Sequence, residues 1–570
     1  MSSILERAKK NRIRIQKKQL NKIAQIVHNT YSEFSSKYYP HQIVAIDKIK
    51  NHHENFGYVL MPTGSGKTKV QVGLILEDME LSTTPNNYVI ASHRLLLNKQ
   101  ILNELIQTAA KQGEKFNILF VGSGQDISVV KMQDMIDDDT QNEYKIQEDS
   151  LVSSTRKDDI GNFISKTNLD GKHTIIVSTY HSVHKLEGNN ISLACFDEAH
   201  STAGKNEEHD FRINLQKVIP SIKRYYFFTA TAKYGENKND KLGMHADMYG
   251  DEIYSVSPRE IIDGGYICEP QLHLVSLQDK SKTRYFDDLS GIKMQAKVIM
   301  ESFIAHNRVV EENSMTSGYT PTVRAKMLVN TTGSKSMGEF IKSKEMLEFS
   351  KNNKVKLFFI ASHENIQNTI IIDGVKQKGI DKSKWMKNLK NLSDDDAAII
   401  FHIRMLTEGI DLPDITGTLF MNAKDTIPLL QSVGRALRRS VWDRNNLFVD
   451  KTVFPMDTHK MNKPYGYVIL PEGFFIEDGE QAKMKDIIET IIHTYKMPVE
   501  NMKLTTTDSK GITKKEELDG TGAKDDSKKT LKGIVEDIQH SIVLNESEKD
   551  YYKKYDIQED IWIKELNIAI

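Results

Sequence analysis

The chain has 570 residues, 39% hydrophobic and 27% charged, and its 77 Lys and Arg against 78 Asp and Glu leave a formal net charge of −1. That length exceeds what one hydrophobic core serves and implies about three or four domains, while the balanced charge excludes a globally basic surface, so affinity for nucleic acid must come from local patches. Two cysteines, Cys195 and Cys268, are too few for a disulfide framework or a zinc site and point to a reducing compartment.

Residues 1–35 begin with Arg7, Lys9, Lys10, Arg12, Arg14, Lys17 and Lys18 against Glu6. They read as a basic helical extension with a solvated face that is also able to touch phosphates. Neither a signal-peptide stretch nor a run long enough to span a membrane is evident, so the expectation is no membrane and a cytoplasmic, nuclear or viral-replication location.

From residue 36 the pattern is α/β. Apolar, β-branched runs at Tyr58–Met61, Tyr88–Ala91, Ile118–Val121, Thr174–Ser178, Leu193–Phe196 and Tyr225–Phe228 read as buried strands with helices between them. A second set lies at Lys326–Val329, Val355–Ile360, Ala397–Ile403, Thr418–Met421 and Gly466–Leu470. Such alternation implies mostly parallel sheets flanked by helices, in two tandem lobes. We expect the lobes at 36–265 and 266–475, meeting near Asp263-Gly264-Gly265, with a charge-dense insertion at about 122–172 that includes Asp137-Asp138-Asp139. Residues 476–570 read as a charged, partly helical region, with a flexible joint near Gly520 and Gly522 and an apolar end at Ile557–Ile568 that is a candidate surface for a protein partner.

Three segments carry chemistry. Met61-Pro62-Thr63-Gly64-Ser65-Gly66-Lys67-Thr68 follows the first strand and opens a helix. Gly64 and Gly66 let backbone N–H groups turn toward phosphate oxygens, Lys67 reaches the β- and γ-phosphates, and Thr68 ligates Mg²⁺. Met61 stands where the general motif has Gly. Leu193-Ala194-Cys195-Phe196-Asp197-Glu198 is an apolar strand ending in adjacent carboxylates, which suits Asp197 to a metal and Glu198 to polarising the attacking water; Cys195 reads as a small core residue. In the second lobe comes Gln431-Ser432-Val433-Gly434-Arg435-Ala436-Leu437-Arg438-Arg439. Arg435 and Arg438, three apart, are expected on one helical face, where both can point at a γ-phosphate.

In this order, over about residues 36–475, the chain resembles superfamily-two helicases and translocases with a DEAH box. Pro40-His41-Gln42, Ser92-His93-Arg94, Ser178-Thr179-Tyr180, Asp197–His200, Thr229-Ala230-Thr231, Leu406–Pro413 and Gln431–Arg438 stand in the places of that family's motifs. Met248–Asp251 and Pro258–Tyr266 look most like the motor subunits of type I and type III restriction enzymes and related viral or bacterial DNA helicases, in which Met is common at the position of Met61.

The resemblance implies two RecA-like domains, ATP and Mg²⁺ as ligands, and a nucleic-acid partner, with DNA favoured over RNA. It assigns Gln42 to the adenine edge, Gly409 and Asp411 to the nucleotide, and His200, Thr229, Thr231 and Gln431 to coupling. His93, Arg94, Thr179 and Thr331 are assigned to the phosphate track of a bound strand. An ATP-gated clamp that does not travel, or a motor subunit needing a nuclease or other partner chain, would carry the same motifs.

Overall fold

The computed structural model describes residues 38–93, 95–109, 115–122, 151–204, 207–233, 243–244, 247–278, 291–331, 333–361, 367–403, 414–421, 426–455, 457–471, 480–497, 502–508 and 513–517. The basic extension, Asp137–Asp139 and the segment around Gly520 and Gly522 with its apolar end lie outside them. The chain forms two compact units that divide between Val256 and Ser257.

The first unit is built on strands β1 (Phe56–Leu60), β2 (Asn87–Ser92), β3 (Phe116–Val121), β4 (Leu151–Ser154), β5 (His173–Thr179), β6 (Leu193–Asp197), β7 (Tyr225–Thr229) and β8 (Glu252–Ser255). They form one sheet in the order β4-β3-β5-β2-β6-β7-β1-β8, and all its pairings are parallel. All seven residues of β5 are buried, as a strand covered on both faces requires. Val89, Ile176, Phe196 and Phe227 sit in one apolar core. Part of the expected insertion belongs to the lobe: β4 pairs with β3, and the helix Lys157–Leu169 buries Ile160 and Ile164. Spacing of those two apolar residues by four places them on one helical face, which the surrounding charges obscured.

The second unit carries ten strands: β9 (Glu269–Gln278), β10 (Lys326–Asn330), β11 (Val355–Ala361), β12 (Thr369–Ile372), β13 (Val375–Lys378), β14 (Ala397–Ile403), β15 (Gly417–Phe420), β16 (Tyr465–Pro471), β17 (Met502–Asp508) and β18 (Thr513–Glu517). Their order is β13-β12-β11-β14-β10-β15-β16-β9-β17-β18. The centre is parallel, and antiparallel hairpins close each edge, β12 with β13 and β17 with β18. Phe359 and Phe401, opposite one another on β11 and β14, stack with centroids 4.5 Å apart. The sheet therefore continues past residue 475, because β17 pairs with β9 along its whole length.

The division between units also falls before the expected Asp263-Gly264-Gly265. Arg259, on the helix Pro258–Asp263, explains why that helix goes with the second unit. Its guanidinium is buried and donates to Asp263 (3.0 and 2.7 Å) and, through both terminal nitrogens, to Glu269 at the start of β9 (2.8 and 2.7 Å). Burial opposes its charge, but the two carboxylates outweigh it and hold the pKa well above the ordinary range. Arg259→Met leaves two buried carboxylates without their cation, so chemical denaturation should show a loss of about 3–5 kcal/mol; a loss below about 1 kcal/mol would mean the network is dispensable.

Candidate nucleotide site

The first lobe brings its sequence-predicted residues together where strands β1, β7 and β6 end. Parallel strands deliver their C-terminal loops to one edge of the sheet, the place such folds keep for ligands. Met61 N–H donates to the Thr229 carbonyl at 3.0 Å, continuing the β1–β7 ladder by one residue, and the Met61 side chain is fully buried. A residue there serves the core, which accounts for Met in place of Gly. The turn is tightened by Ser65, whose N–H and hydroxyl both donate to the Pro62 carbonyl (3.1 and 2.6 Å). Gly64 and Gly66 have φ of 87° and 85°, where a Cβ is disfavoured, and a Cβ on Gly66 would strike the Gln42 amide. The helix Lys67–Leu81 begins at once. The N–H groups of Lys67 and Thr68 in its first turn have no preceding helical carbonyl and give the loop its positive potential. Thr63 and Thr68 are half-buried beside it.

Gln42, expected at the adenine edge, packs against the loop. Its Oε1 accepts from the Tyr39 N–H (2.8 Å) and its Nε2 donates to the Ser65 carbonyl (2.9 Å), so both ends of the amide are engaged by protein. His41 Nε2 donates to the same carbonyl at 2.8 Å. The helix Pro40–Lys50 thus clamps the phosphate loop from behind.

The carboxylates face this loop. Lys67 Nζ lies 3.6 Å from Glu198 Oε1 and 3.4 Å from the Met61 carbonyl. Asp197 accepts from Gln71 Nε2 at 2.8 Å. Burial and the adjacent Glu198 raise the Asp197 pKa, and Lys67 offsets only part of the rise. Burial also pushes Glu198 upward, but Lys67, His200 and His93 outweigh it and hold that carboxyl below its usual range. One cation therefore serves two carboxylates and favours Glu198. Behind Glu198, His200 Nδ1 lies 2.9 Å from the Thr229 hydroxyl, which donates to the Thr231 carbonyl at 3.1 Å. His200 Nδ1 is 3.4 Å from Glu198 Oε2, an electrostatic contact.

Of the expected track residues, His93 is half-buried and acts electrostatically on Glu198. Thr179 is buried at the end of β5, its hydroxyl without a hydrogen-bond partner among the described residues. Thr331 is buried too, and its N–H and hydroxyl both donate to the His402 carbonyl (3.2 and 3.1 Å). Neither threonine presents its hydroxyl at the surface. Arg94 and the whole of Leu406–Pro413, with Gly409 and Asp411, lie outside the described residues.

In the second lobe the helix Thr426–Ala436 carries Gln431 and Arg435, both buried. The Gln431 amide has no hydrogen-bond partner among the described residues at either end. Arg438 does not share their helical face, contrary to the spacing argument. The helix stops at Ala436, and Arg438 forms an isolated antiparallel bridge with Ile267. Tertiary partners take over the carbonyls at the helix end: Cys268 N–H donates to Leu437 (2.7 Å), and Lys463 Nζ donates to Arg438 (2.6 Å). Gly466 permits this ending, since a Cβ there would collide with the Ala436 carbonyl. Arg439 is structural, donating to the Gly265 carbonyl at 3.2 Å. Gln71 and Lys463 escaped the sequence reading. Gln71, four residues after Lys67 and so on its helical face, was open to a spacing argument; Lys463 carried no signal.

Residues 35–234 match the family model described as Type III restriction enzyme, res subunit. No curated protein matches the chain. Among solved structures, the ATP-dependent Type ISP restriction-modification enzyme LlaBIII bound to DNA is similar at 15% identity with a TM-score of 0.57, over 89% of this chain and 33% of that one. A nuclease-deletion mutant of the Type ISP enzyme LlaGI, in complex with a DNA substrate mimic, is similar at 13% identity with a TM-score of 0.47, over 82% and 30%. The Mycobacterium smegmatis helicase Lhr bound to ssDNA and AMP-PNP gives 12% identity and 0.46, over 93% and 53%. The chain thus spans about a third of the length of the two restriction enzymes, and the likeness to LlaBIII shows a shared fold.

Burial lowers the His41 pKa to about 4, against the raising effect of its bond to Ser65. Because the folded value lies below the unfolded value of about 6.5, the unfolded chain takes up the proton first, so stability is lost as pH falls from about 6.5 toward 4. The linkage amounts to at most about 3 kcal/mol. Thermal unfolding of His41→Gln should show a shallower dependence over that window than the wild type, and identical slopes would remove His41 from the account.

Proposed function

We propose that this chain, a superfamily-two protein related to the motors of restriction enzymes, is an ATP-dependent nucleic-acid helicase or translocase acting on DNA. The observation that carries the reading is the buried chain from the phosphate loop through Lys67 and Glu198 to His200 and Thr229. It joins a phosphate-binding cation to a carboxylate kept ionised, and that carboxylate to a polar relay leading away from the site.

The step assigned to it is hydrolysis of the γ-phosphoryl group. Glu198 accepts a proton from water as the water oxygen bonds to the γ-phosphorus; the bond to the β–γ bridging oxygen breaks, and ADP leaves with that electron pair. Lys67 and the N–H groups of Gly64, Gly66, Lys67 and Thr68 hold the phosphate oxygens. Thr68 and Asp197 offer one hydroxyl and one carboxylate, a hard-oxygen pair suited to Mg²⁺, which leaves most of the coordination shell to phosphate and water. The upward pull of Glu198 on Asp197 is the kind of strain a nearby dication relieves. Mg²⁺ bound there would neutralise charge on the β- and γ-phosphates. Arg435 and Arg438 are assigned to the transferred phosphoryl charge, and Gln431, Thr229, Thr231 and His200 to coupling hydrolysis with a changed grip on the strand. DNA as the track is supported by the res-subunit match and by the DNA in the LlaBIII structure. The same match favours a second reading, in which the chain is the motor component of a restriction or defence assembly whose nuclease lies elsewhere.

ATPase activity titrated with single- and double-stranded DNA and RNA should rise most with DNA. Lys67→Ala should abolish turnover, and Arg438→Ala should spare ATP binding while cutting turnover by about 10³-fold. Rates indifferent to every polymer would sink the motor reading. Triplex displacement beside strand displacement then separates duplex translocation from unwinding.

A further inference from the structure

Glu198 sits in a conformation that non-glycine residues rarely take, with φ 51° and ψ 48°. Such strain at a reactive group persists only where its surroundings over-determine it. On its C-terminal side, the Ser201 N–H and hydroxyl both donate to the Glu198 carbonyl, at 2.9 and 2.8 Å. On its N-terminal side, the carbonyl of Asp197 accepts from the Tyr180 hydroxyl at 2.6 Å. The peptides before and after Glu198 are thus both held.

We propose that Tyr180 is a positioning residue for hydrolysis: by fixing the Asp197–Glu198 peptide it keeps the Glu198 carboxylate aimed at the attacking water. This rests on the ATPase reading above and extends it to a residue outside the nucleotide pocket.

The support for Tyr180 is itself rigid. Its N–H donates to the Ser92 carbonyl at 2.8 Å, and its carbonyl accepts from Asn214 Nδ2 at 3.1 Å. Its ring is fully buried, 6.5 Å from Phe196 and 5.7 Å from Phe211 between centroids. The side chain therefore spans from the end of β5, past β2, to the end of β6, and cannot slide along that path. Burial pushes the phenol far above its ordinary range, so it remains a donor at any working pH. A buried tyrosine whose ring alone mattered would leave its hydroxyl to any neighbour; this one ends on the carbonyl next to the strained residue.

Tyr180→Phe keeps the ring and deletes only the donor. In the full-length protein with saturating DNA, the variant should lose about 10- to 100-fold in kcat, with KM for ATP and the affinity for AMP-PNP unchanged. If Tyr180 acts through Glu198, adding Tyr180→Phe to Glu198→Gln should cost nothing further, the non-additivity expected of residues in one unit. Additive losses, or a Tyr180→Phe kcat within about twofold of wild type, would overturn the proposal. Tyr180→Leu, which also lacks the donor, serves if the Phe variant does not fold. A wild type that hydrolyses no ATP would sink the ATPase reading instead. Amide exchange then decides the hold itself: faster exchange over residues 197–201 in Tyr180→Phe supports it, and unchanged exchange refutes it.

Discussion

One ammonium group facing two adjacent buried carboxylates sets the terms for the first lobe. Asp197 and Glu198 are held in a site from which water is largely excluded, where an unpaired charge is costly. Lys67 lies against Glu198 rather than midway between the two, and Asp197 has the neutral amide of Gln71 instead of a cation. The pair is thereby made unequal: burial raises both carboxyls, but repulsion by Glu198 leaves Asp197 raised while Lys67 and the neighbouring histidines hold Glu198 below its usual range. Two neighbouring carboxylates become two different tools because of where a single lysine sits. A polyphosphate entering the loop brings more negative charge and competes for the same ammonium, so its binding calls for further positive charge beside Asp197. The phosphate loop and the acidic strand end are in this sense one electrostatic unit.

The sheet makes that unit possible. β7 lies between β1 and β6, so the loops carrying Lys67 and Glu198 are separated by the strand that carries Thr229. His200 closes the gap by reaching the Thr229 hydroxyl. Met61 belongs to the same construction, since its N–H extends the ladder to β7 and its side chain fills the core beneath the loop. The loop is firm on the side where His41 and Gln42 converge on one carbonyl, and open where Gly64 is exposed.

Much of this was legible in the sequence because buried parallel strands announce themselves as short apolar runs, and each of the eleven runs singled out coincides with a strand. Most of the strands that escaped have a diluted pattern; β12, Thr-Ile-Ile-Ile before an Asp373-Gly374 turn, does not, and was open to a hairpin argument. β12 and β13 make a short edge hairpin with Val375–Lys378 largely exposed. β17 and β18 read Met-Lys-Leu-Thr-Thr-Thr-Asp and Thr-Lys-Lys-Glu-Glu, polar enough to pass for a tail although the threonines favour extended backbone. β9 was masked by Pro270, which the sheet accommodates at the strand's start. Motif order picked out residues that the fold places side by side, Lys67 with Glu198 and His200 with Thr229. Gln42 and Thr331 were assigned to ligands, and their polar groups are engaged by protein.

Arg438 shows where local reasoning ends. Spacing by three places two side chains together only while the helix lasts, and from Arg435 to Arg444 the sequence contains no Gly or Pro to stop it. The stop comes from residues far along the chain: Ile267 and Cys268 on one side, Lys463 and Gly466 on the other. Lys463 is buried, and its pKa is lowered by that burial; such a lysine is held in place by what its ammonium bonds, here the Arg438 carbonyl. The direction of the Arg438 side chain is accordingly set through its backbone rather than by helical phase. Arg435 and Arg438 then have separate supports, one the helix and the other the frame around β9 and β16. A change in that frame would move Arg438 while leaving Arg435 where it is, so the two guanidinium groups need not act as a single element.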